Sequence, residues 1–195
     1  MHPGTKKTAR TGHLPLASMA LLALLGGCEK AAETPAESAE PEITAAPGCG
    51  NGAYLRTALF GAIERQIAWS PEDLRCESML RPDGKGVRLR FVGEAAGSQL
   101  AIILALPELQ RGETSTETPA VVTLTVEGSG RFFSTPTADF CWSDIDAQEP
   151  IAESDHKYTI EGTLFCVSPL GEINGDAAIS IPEMTFRGVV DWSAK

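Results

Sequence analysis

The stretch that decides the fold is Val87-Arg88-Leu89-Arg90-Phe91-Val92, in which Val87, Leu89 and Phe91 alternate with Arg88, Arg90 and Val92. Such alternation predicts a β-strand with one face in a core. The run Leu100-Ala101-Ile102-Ile103-Leu104-Ala105-Leu106 follows and is apolar throughout. It is short enough for a strand that is buried on both faces. These two segments predict that the core of the protein is built from β-structure.

Turn residues separate further short segments of strand-like sequence. Pro82-Asp83-Gly84 is typical of a turn, and Asn174-Gly175 is typical of a hairpin. The other predicted strands cover residues 120–126, 131–133, 140–142, 158–167, 177–181 and 184–192. About eight strands at close spacing indicate an antiparallel β-sandwich or barrel.

The segment before these strands has a helical pattern. Leu55, Leu59, Ile63 and Ile67 recur every four residues and form one apolar stripe over residues 52–69, with Asn51 as a possible cap. Ser70-Pro71-Glu72-Asp73 then has the capping serine, first-turn proline and acids of a helix start, so a second helix is predicted to end near Leu80. We therefore predict an α+β fold, mainly β, with an N-terminal helical hairpin. The stripe is expected to pack on the sheet rather than to bind a partner.

Four cysteines in this region predict disulfides. An even number of cysteines in an exported chain favours disulfide bonds, and three pairings are possible for Cys49, Cys76, Cys141 and Cys166. We favour Cys49–Cys76 and Cys141–Cys166, because each pair lies within one local structural unit. A zinc site is the alternative, but the sequence has no C-x-x-C spacing.

The N-terminus has the features of an export signal. Lys6, Lys7 and Arg10 precede an apolar stretch over residues 14–25, which ends in Leu25-Gly26-Gly27-Cys28. This arrangement resembles the lipobox of bacterial lipoproteins. The resemblance implies removal of residues 1–27 and attachment of acyl chains at Cys28, including a diacylglycerol on its sulfur. The alternatives are a retained transmembrane anchor, for which the apolar stretch is short, and a secreted protein with an ordinary thiol.

Residues 28–48 form a predicted linker between the lipidated Cys28 and a single domain at 49–195. The linker is rich in Ala, Glu and Pro, and its only large apolar residue is Ile43. Such a composition buries too little surface to offset the entropy of ordering, so we expect a disordered tether. Fully extended, it would reach about 65 Å at roughly 3.3 Å per residue.

The charge excludes some classes of partner. Removal of residues 1–27 removes three of the 16 Lys and Arg and none of the 26 Asp and Glu, which takes the net charge from −10 to −13. Nucleic acids and anionic lipid surfaces require a basic surface, so neither is a predicted partner. By the sorting preference known for enterobacterial lipoproteins, Glu29 favours the outer over the inner membrane.

The region from Arg81 to Trp192 resembles uncharacterised exported domains of bacterial lipoproteins. The resemblance rests on Cys141-Trp142-Ser143 and on Phe186-Arg187-Gly188-Val189-Val190-Asp191-Trp192. It assigns no functional residues.

No pattern of catalytic residues is predicted. After cleavage His156 is the only histidine, and it lies in the polar segment Glu153-Ser154-Asp155-His156-Lys157. Ser154-x-x-Lys157 matches one motif of the penicillin-recognising serine enzymes, but there the serine must begin a helix and companion motifs must follow. We therefore predict that the protein is not an enzyme and has no cofactor.

Acidic clusters and tryptophans leave two weaker alternatives. Calcium could be held by the oxygens of two groups, and paired carboxylates beside an aromatic platform could cleave a glycoside. The first group is Asp139, Asp144, Asp146 and Glu149, and the second is Glu172, Asn174 and Asp176. The hairpin at Asn174-Gly175 already explains the second group. Trp69, Trp142 and Trp192 are expected to fill the core.

The sequence thus favours a lipid-anchored envelope protein that acts as a binding or interaction module. Its ligand would be an envelope protein, or an apolar or sugar molecule. A structural or accessory subunit of an envelope assembly is the alternative, followed by an enzyme acting on cell-wall or lipid material.

Overall fold

The computed structural model describes residues 49–95 and 97–193. The predicted signal peptide, the lipidation site Cys28 and the tether lie outside the described residues. These described residues form twelve strands and one short 3-10 helix at Ala138–Phe140. The strands are β1 (Tyr54–Gly61), β2 (Arg65–Trp69), β3 (Arg75–Leu80), β4 (Val87–Ala95), β5 (Ser98–Leu106), β6 (Ser115–Val126), β7 (Arg131–Ser134), β8 (Cys141–Pro150), β9 (Lys157–Cys166), β10 (Leu170–Glu172), β11 (Ala178–Ser180) and β12 (Glu183–Asp191).

All strand pairs are antiparallel, and their order is β3-β4-β5-β6-β7-β10-β11-β1-β12-β9-β8, with β2 paired to β1. Two strands exchange partners along their length. The first half of β1 pairs with β12 and its end pairs with β11, while β6 pairs with β8 before it pairs with β5 and β7. Since β6 contacts both β7 and β8, the hydrogen-bonded path closes on itself.

The sheet folds over a core made from alternate side chains of its strands. Phe91 of β4 meets Phe186 of β12 with ring centroids 5.8 Å apart, although these strands are distant in the sheet order. A side chain at Gly188 would place its Cβ 3.0 Å from the Phe91 ring, so any larger residue there would have to displace the ring by a few tenths of an ångström. The expectation of a mainly β, antiparallel fold is confirmed.

The predicted first helix over residues 52–69 is wrong, because this segment forms β1 and β2. A spacing of four residues fits a strand as well as a helix, since four is a multiple of two. Leu55, Thr57 and Leu59 are all buried, which is the period of a strand. Gly61 then takes φ of 101°, a conformation outside the helical range, at the end of β1.

The predicted second helix is also wrong, because its start signal produces a single turn. The Ser70 amide and hydroxyl both donate to the Asp73 carboxylate, at 3.0 and 2.7 Å, and the Leu74 amide donates to the Ser70 carbonyl at 3.1 Å. The chain then extends into β3, where Cys76 is buried between the exposed Arg75 and Glu77. Pairing with β4 therefore overrides the local helical preference.

Both predicted disulfides are confirmed. Cys49–Cys76 joins the segment before β1 to β3, with Cα atoms 4.8 Å apart, and not the two helices that were expected. Cys141–Cys166 joins directly opposed residues of β8 and β9, with Cα atoms 4.1 Å apart. Such bonds are typical of an oxidising compartment outside the cytoplasm.

The eight predicted strands are all present, and the prediction missed β1, β2, β3 and β10. The hairpin predicted at Asn174-Gly175 joins β10 to β11, and Asn174 has φ of 64°. Asparagine tolerates this left-handed conformation better than most residues.

Candidate functional site

Strand β2 has one open edge. It pairs with β1 from Leu55 opposite Trp69 to Leu59 opposite Arg65. Within residues 49–95 and 97–193, no strand pairs with its other side. An unpaired strand edge presents a row of N–H and C=O groups that can bind another chain. This edge is therefore the first candidate for a binding site.

A groove runs along this open edge, and we call it the β2 trough. It consists of three adjoining depressions of about 580, 500 and 350 Å³. The first and second share Arg65 and Gln66, and the second and third share Asp73 and Glu94. Its lining comes from the end of β1, the whole of β2, the turn before β3, and the ends of β4 and β5: Leu59, Phe60, Glu64–Trp69, Glu72–Arg75, Val92–Ala95 and Gln99.

Trp69 fixes the position of β2 against β4. Its indole lies directly on Gly93, where an added Cβ would come within 2.8 Å of the indole nitrogen. The indole N–H donates to the Glu94 carbonyl at 2.9 Å. Trp69 is only 5% exposed, so it is held by both packing and a hydrogen bond. The backbone at Glu94 is therefore joined to β2 by both contacts.

The turn before β3 keeps two carboxylates ionised at the same end of the trough. The Ser70 hydroxyl lies 2.7 Å from each carboxylate and donates its single hydrogen to one or the other, and this contact lowers the pKa of Glu72 and of Asp73. Both groups are fully exposed, so they interact with solvent and with anything that enters the trough. This end carries Glu72, Asp73 and Glu94 against the single cation Arg75. It is therefore suited to a positively charged group.

The residues singled out for nucleophilic chemistry lie elsewhere. Ser154 and His156 lie in the loop between β8 and β9, and Lys157 is the first residue of β9. The Ser154 hydroxyl accepts a hydrogen bond from the His156 amide at 3.4 Å, while the His156 carbonyl accepts one from the Trp192 amide at 3.0 Å. These contacts order a loop and place no nucleophile in the β2 trough.

One member of each acidic cluster takes part in local structure. Asp144 accepts a hydrogen bond from the Glu117 amide at 2.6 Å, and Glu172 forms an ion pair with Arg131 at 2.6 Å. In the described part of the chain, no three His, Cys, Asp or Glu residues are grouped so that they could hold a metal ion.

The three tryptophans differ in their surroundings. Trp69 is buried, and the half-buried Trp192 packs against the core and donates to Gln148 at 3.2 Å. Trp142 does not fill the core as expected. It is half-buried on the outer face of β8 and stacks on Phe165 of β9, with ring centroids 6.0 Å apart. Cross-strand aromatic pairs of this kind also stabilise a sheet.

Sequence reasoning missed the β2 trough because it assigned residues 52–80 to helices. One signal was present in the sequence: from Arg65 to Trp69, the polar or small residues Gln66 and Ala68 alternate with Ile67 and Trp69. The structure exposes the first pair and buries the second. This is the pattern of a strand with one face in the core.

Among the residues described, none belongs to a helix of the length and apolarity needed to cross a membrane. The chain matches no protein-family model, no curated protein and no solved structure.

Proposed function

We propose that this protein is a lipid-anchored component of the cell envelope that acts as an interaction module. The observation that carries the proposal is the open edge of β2 beside the three depressions of the β2 trough. Strand addition is a common way of binding an extended peptide, because main-chain hydrogen bonds supply affinity and side-chain pockets supply specificity. The partner in this proposal is a segment of another envelope protein that lies along β2.

The N-terminal sequence supports the anchored part of the proposal. The lipobox-like run at Leu25-Gly26-Gly27-Cys28 would attach acyl chains at Cys28, and residues 29–48 would hold the β domain away from the membrane. Glu29 favours the outer membrane. A domain on a long tether can search the periplasm for a partner while it stays at the membrane surface.

A photo-crosslinking residue at Gln66 tests the proposal in intact cells. Gln66 is exposed in the middle of the open edge, and Glu149, exposed in β8, is the matched control site. We expect one recurrent protein to be crosslinked from position 66 and not from position 149. Equal recovery from both sites, or none from position 66, would contradict the proposal.

An accessory role in an envelope assembly is the second candidate. Ile103, Val121, Trp142 and Phe165 are half-buried apolar residues that do not pack against the core cluster. Exposed apolar surface is typical of an assembly interface. Under this alternative, Trp142→Ala would lower the recovery of a partner in pull-downs while crosslinking from Gln66 would give nothing.

An enzyme of the cell wall or of lipids is less well supported. A general acid that works at neutral pH needs a carboxyl with a raised pKa. In the β2 trough the carboxyls of Glu72 and Asp73 shift in the opposite direction. They suit a permanently charged binding surface.

A further inference from the structure

We propose that the segment bound by the β2 trough is an extended strand of about five residues, with an apolar side chain at the Phe60 end and a cationic side chain at the Glu94 end. This inference rests on the proposed function and names the chemistry of its partner. It commits to a cationic peptide segment as the occupant.

The length follows from β2 itself. The strand contains five residues, Arg65–Trp69, and strands rise by about 3.4 Å per residue, so its ends are about 14 Å apart. The register places Leu59 opposite Arg65 at one end and Leu55 opposite Trp69 at the other. A five-residue segment that pairs with β2, parallel or antiparallel, would therefore place its first and last side chains at the two ends of the trough. These two side chains are four residues apart in the partner's sequence.

The Phe60 end is suited to an apolar side chain. Phe60 is 48% exposed at the end of β1, and it lines the depression of about 580 Å³ together with the buried Leu59. Glu64 and Arg65 also line this depression and balance each other in charge. An apolar residue of the partner would cover Phe60 and remove its ring from water, which is favourable.

The Glu94 end is suited to a cation. Glu72, Asp73 and Glu94 outnumber Arg75 there, and Ser70 keeps Glu72 and Asp73 ionised. Charge complementarity of this kind selects partners and orients them. In an extended segment, a Lys or Arg four residues from the apolar residue would reach this end.

The same charges argue against two other occupants. The chain's own tether over residues 29–48 has five glutamates and one lysine, so the acidic end would repel it. A second copy would bring its own acidic residues to the same place, on a chain whose net charge is already −10 before cleavage. A cationic segment of a different protein meets neither obstacle.

The test selects random nine-residue peptides by display against the detergent-solubilised full-length protein. The enriched peptides are expected to carry Lys or Arg four residues from an apolar residue. Replacement of that cation by Glu should weaken binding at least tenfold, and Glu94→Gln should weaken it about twofold to fivefold, as for a rim ion pair. Glu149→Gln is the matched control, since it removes one carboxylate from a distant strand, and binding should not change.

The outcomes separate this inference from the proposed function. Selected peptides that are crosslinked from a photo-crosslinking residue at position 66, but that show no preference for a cation, would overturn the inference and leave the proposed function intact. Selected peptides that bind the protein but are not crosslinked from position 66 would overturn both, and so would an absence of enrichment.

Discussion

Replacement of Gly93 by alanine tests how Trp69 holds β2 on β4. The new Cβ would lie within 2.8 Å of the indole nitrogen, closer than a real Cβ approaches a neighbouring atom, so the indole must move. Overpacking of this kind costs about 1–3 kcal/mol. Loss of the hydrogen bond from the indole to the Glu94 carbonyl adds about 1 kcal/mol.

Alanine loses less conformational entropy on folding than glycine does, and this difference offsets part of the cost. Alanine is better than glycine inside a strand by about 0.5–1 kcal/mol. We therefore expect Gly93→Ala to lower the free energy of unfolding by about 1–3 kcal/mol. Urea unfolding followed by circular dichroism measures this difference.

Gly171→Ala is the matched control for this experiment. Gly171 is exposed in β10, and no atom lies within 4 Å of the Cβ that alanine would add. This variant should be as stable as the wild type or slightly more stable. If Gly93→Ala were as stable as Gly171→Ala, the packing of Trp69 on Gly93 would not determine the position of β2.

Four other changes have defined outcomes. Cys141→Ser with Cys166→Ser should cost about 3.5 kcal/mol in urea unfolding, the chain-entropy value for a loop of this length, because the two positions are 25 residues apart. Gln148→Leu should cost about 2–4 kcal/mol in the same assay, since the Gln148 amide group makes four hydrogen bonds, to Gln110, Gly112, Glu113 and Trp192. Glu172→Gln should destabilise the protein more at pH 7 than at pH 3 in thermal unfolding, because the hydrogen bond from Arg131 lowers the pKa of Glu172 and its stabilising effect declines as pH falls towards the folded pKa. Cys28→Ser should move the protein from the membrane to the soluble periplasmic fraction.

Each of these outcomes can fail separately. Free thiols in the denatured wild-type β domain would contradict the two disulfides. A Gln148→Leu variant with unchanged stability would mean that water replaces its hydrogen bonds. If Glu172→Gln destabilised the protein equally at both pH values, the ion pair with Arg131 could not be the cause. Unchanged membrane fractionation of Cys28→Ser would refute lipid anchoring.

The sequence predicted the parts of the fold that depend on local patterns. Alternation at Val87–Val92 and the apolar run from Leu100 to Leu106 correspond to β4 and β5, and the four cysteines formed the expected bonds. Leu55 and Leu59 were misassigned because their spacing satisfies both helical and strand periodicity. Gly61 disfavours a helix at this point, but only pairing with β12 and β11 decides the outcome.

The β2 trough was beyond prediction because it depends on contacts between distant segments. The register of β2 on β1 and the turn at Ser70 bring residues 59–75 beside residues 92–99. The absence of a Cβ at Gly93 matters only because Trp69 lies on it. The stacking of Trp142 on Phe165 likewise follows from the register of β8 and β9, which no single segment contains.

Amide hydrogen exchange of the full-length protein, with and without a selected peptide, tests the central claim most directly. Strand addition creates new main-chain hydrogen bonds along β2, so exchange should slow at those amides of residues 65–69 that point away from β1 and change little in β8 and β9. Protection confined to β8 and β9, around Trp142 and Phe165, or no protection of β2 by a peptide that binds, would contradict the claim that the open edge of β2 is the binding site.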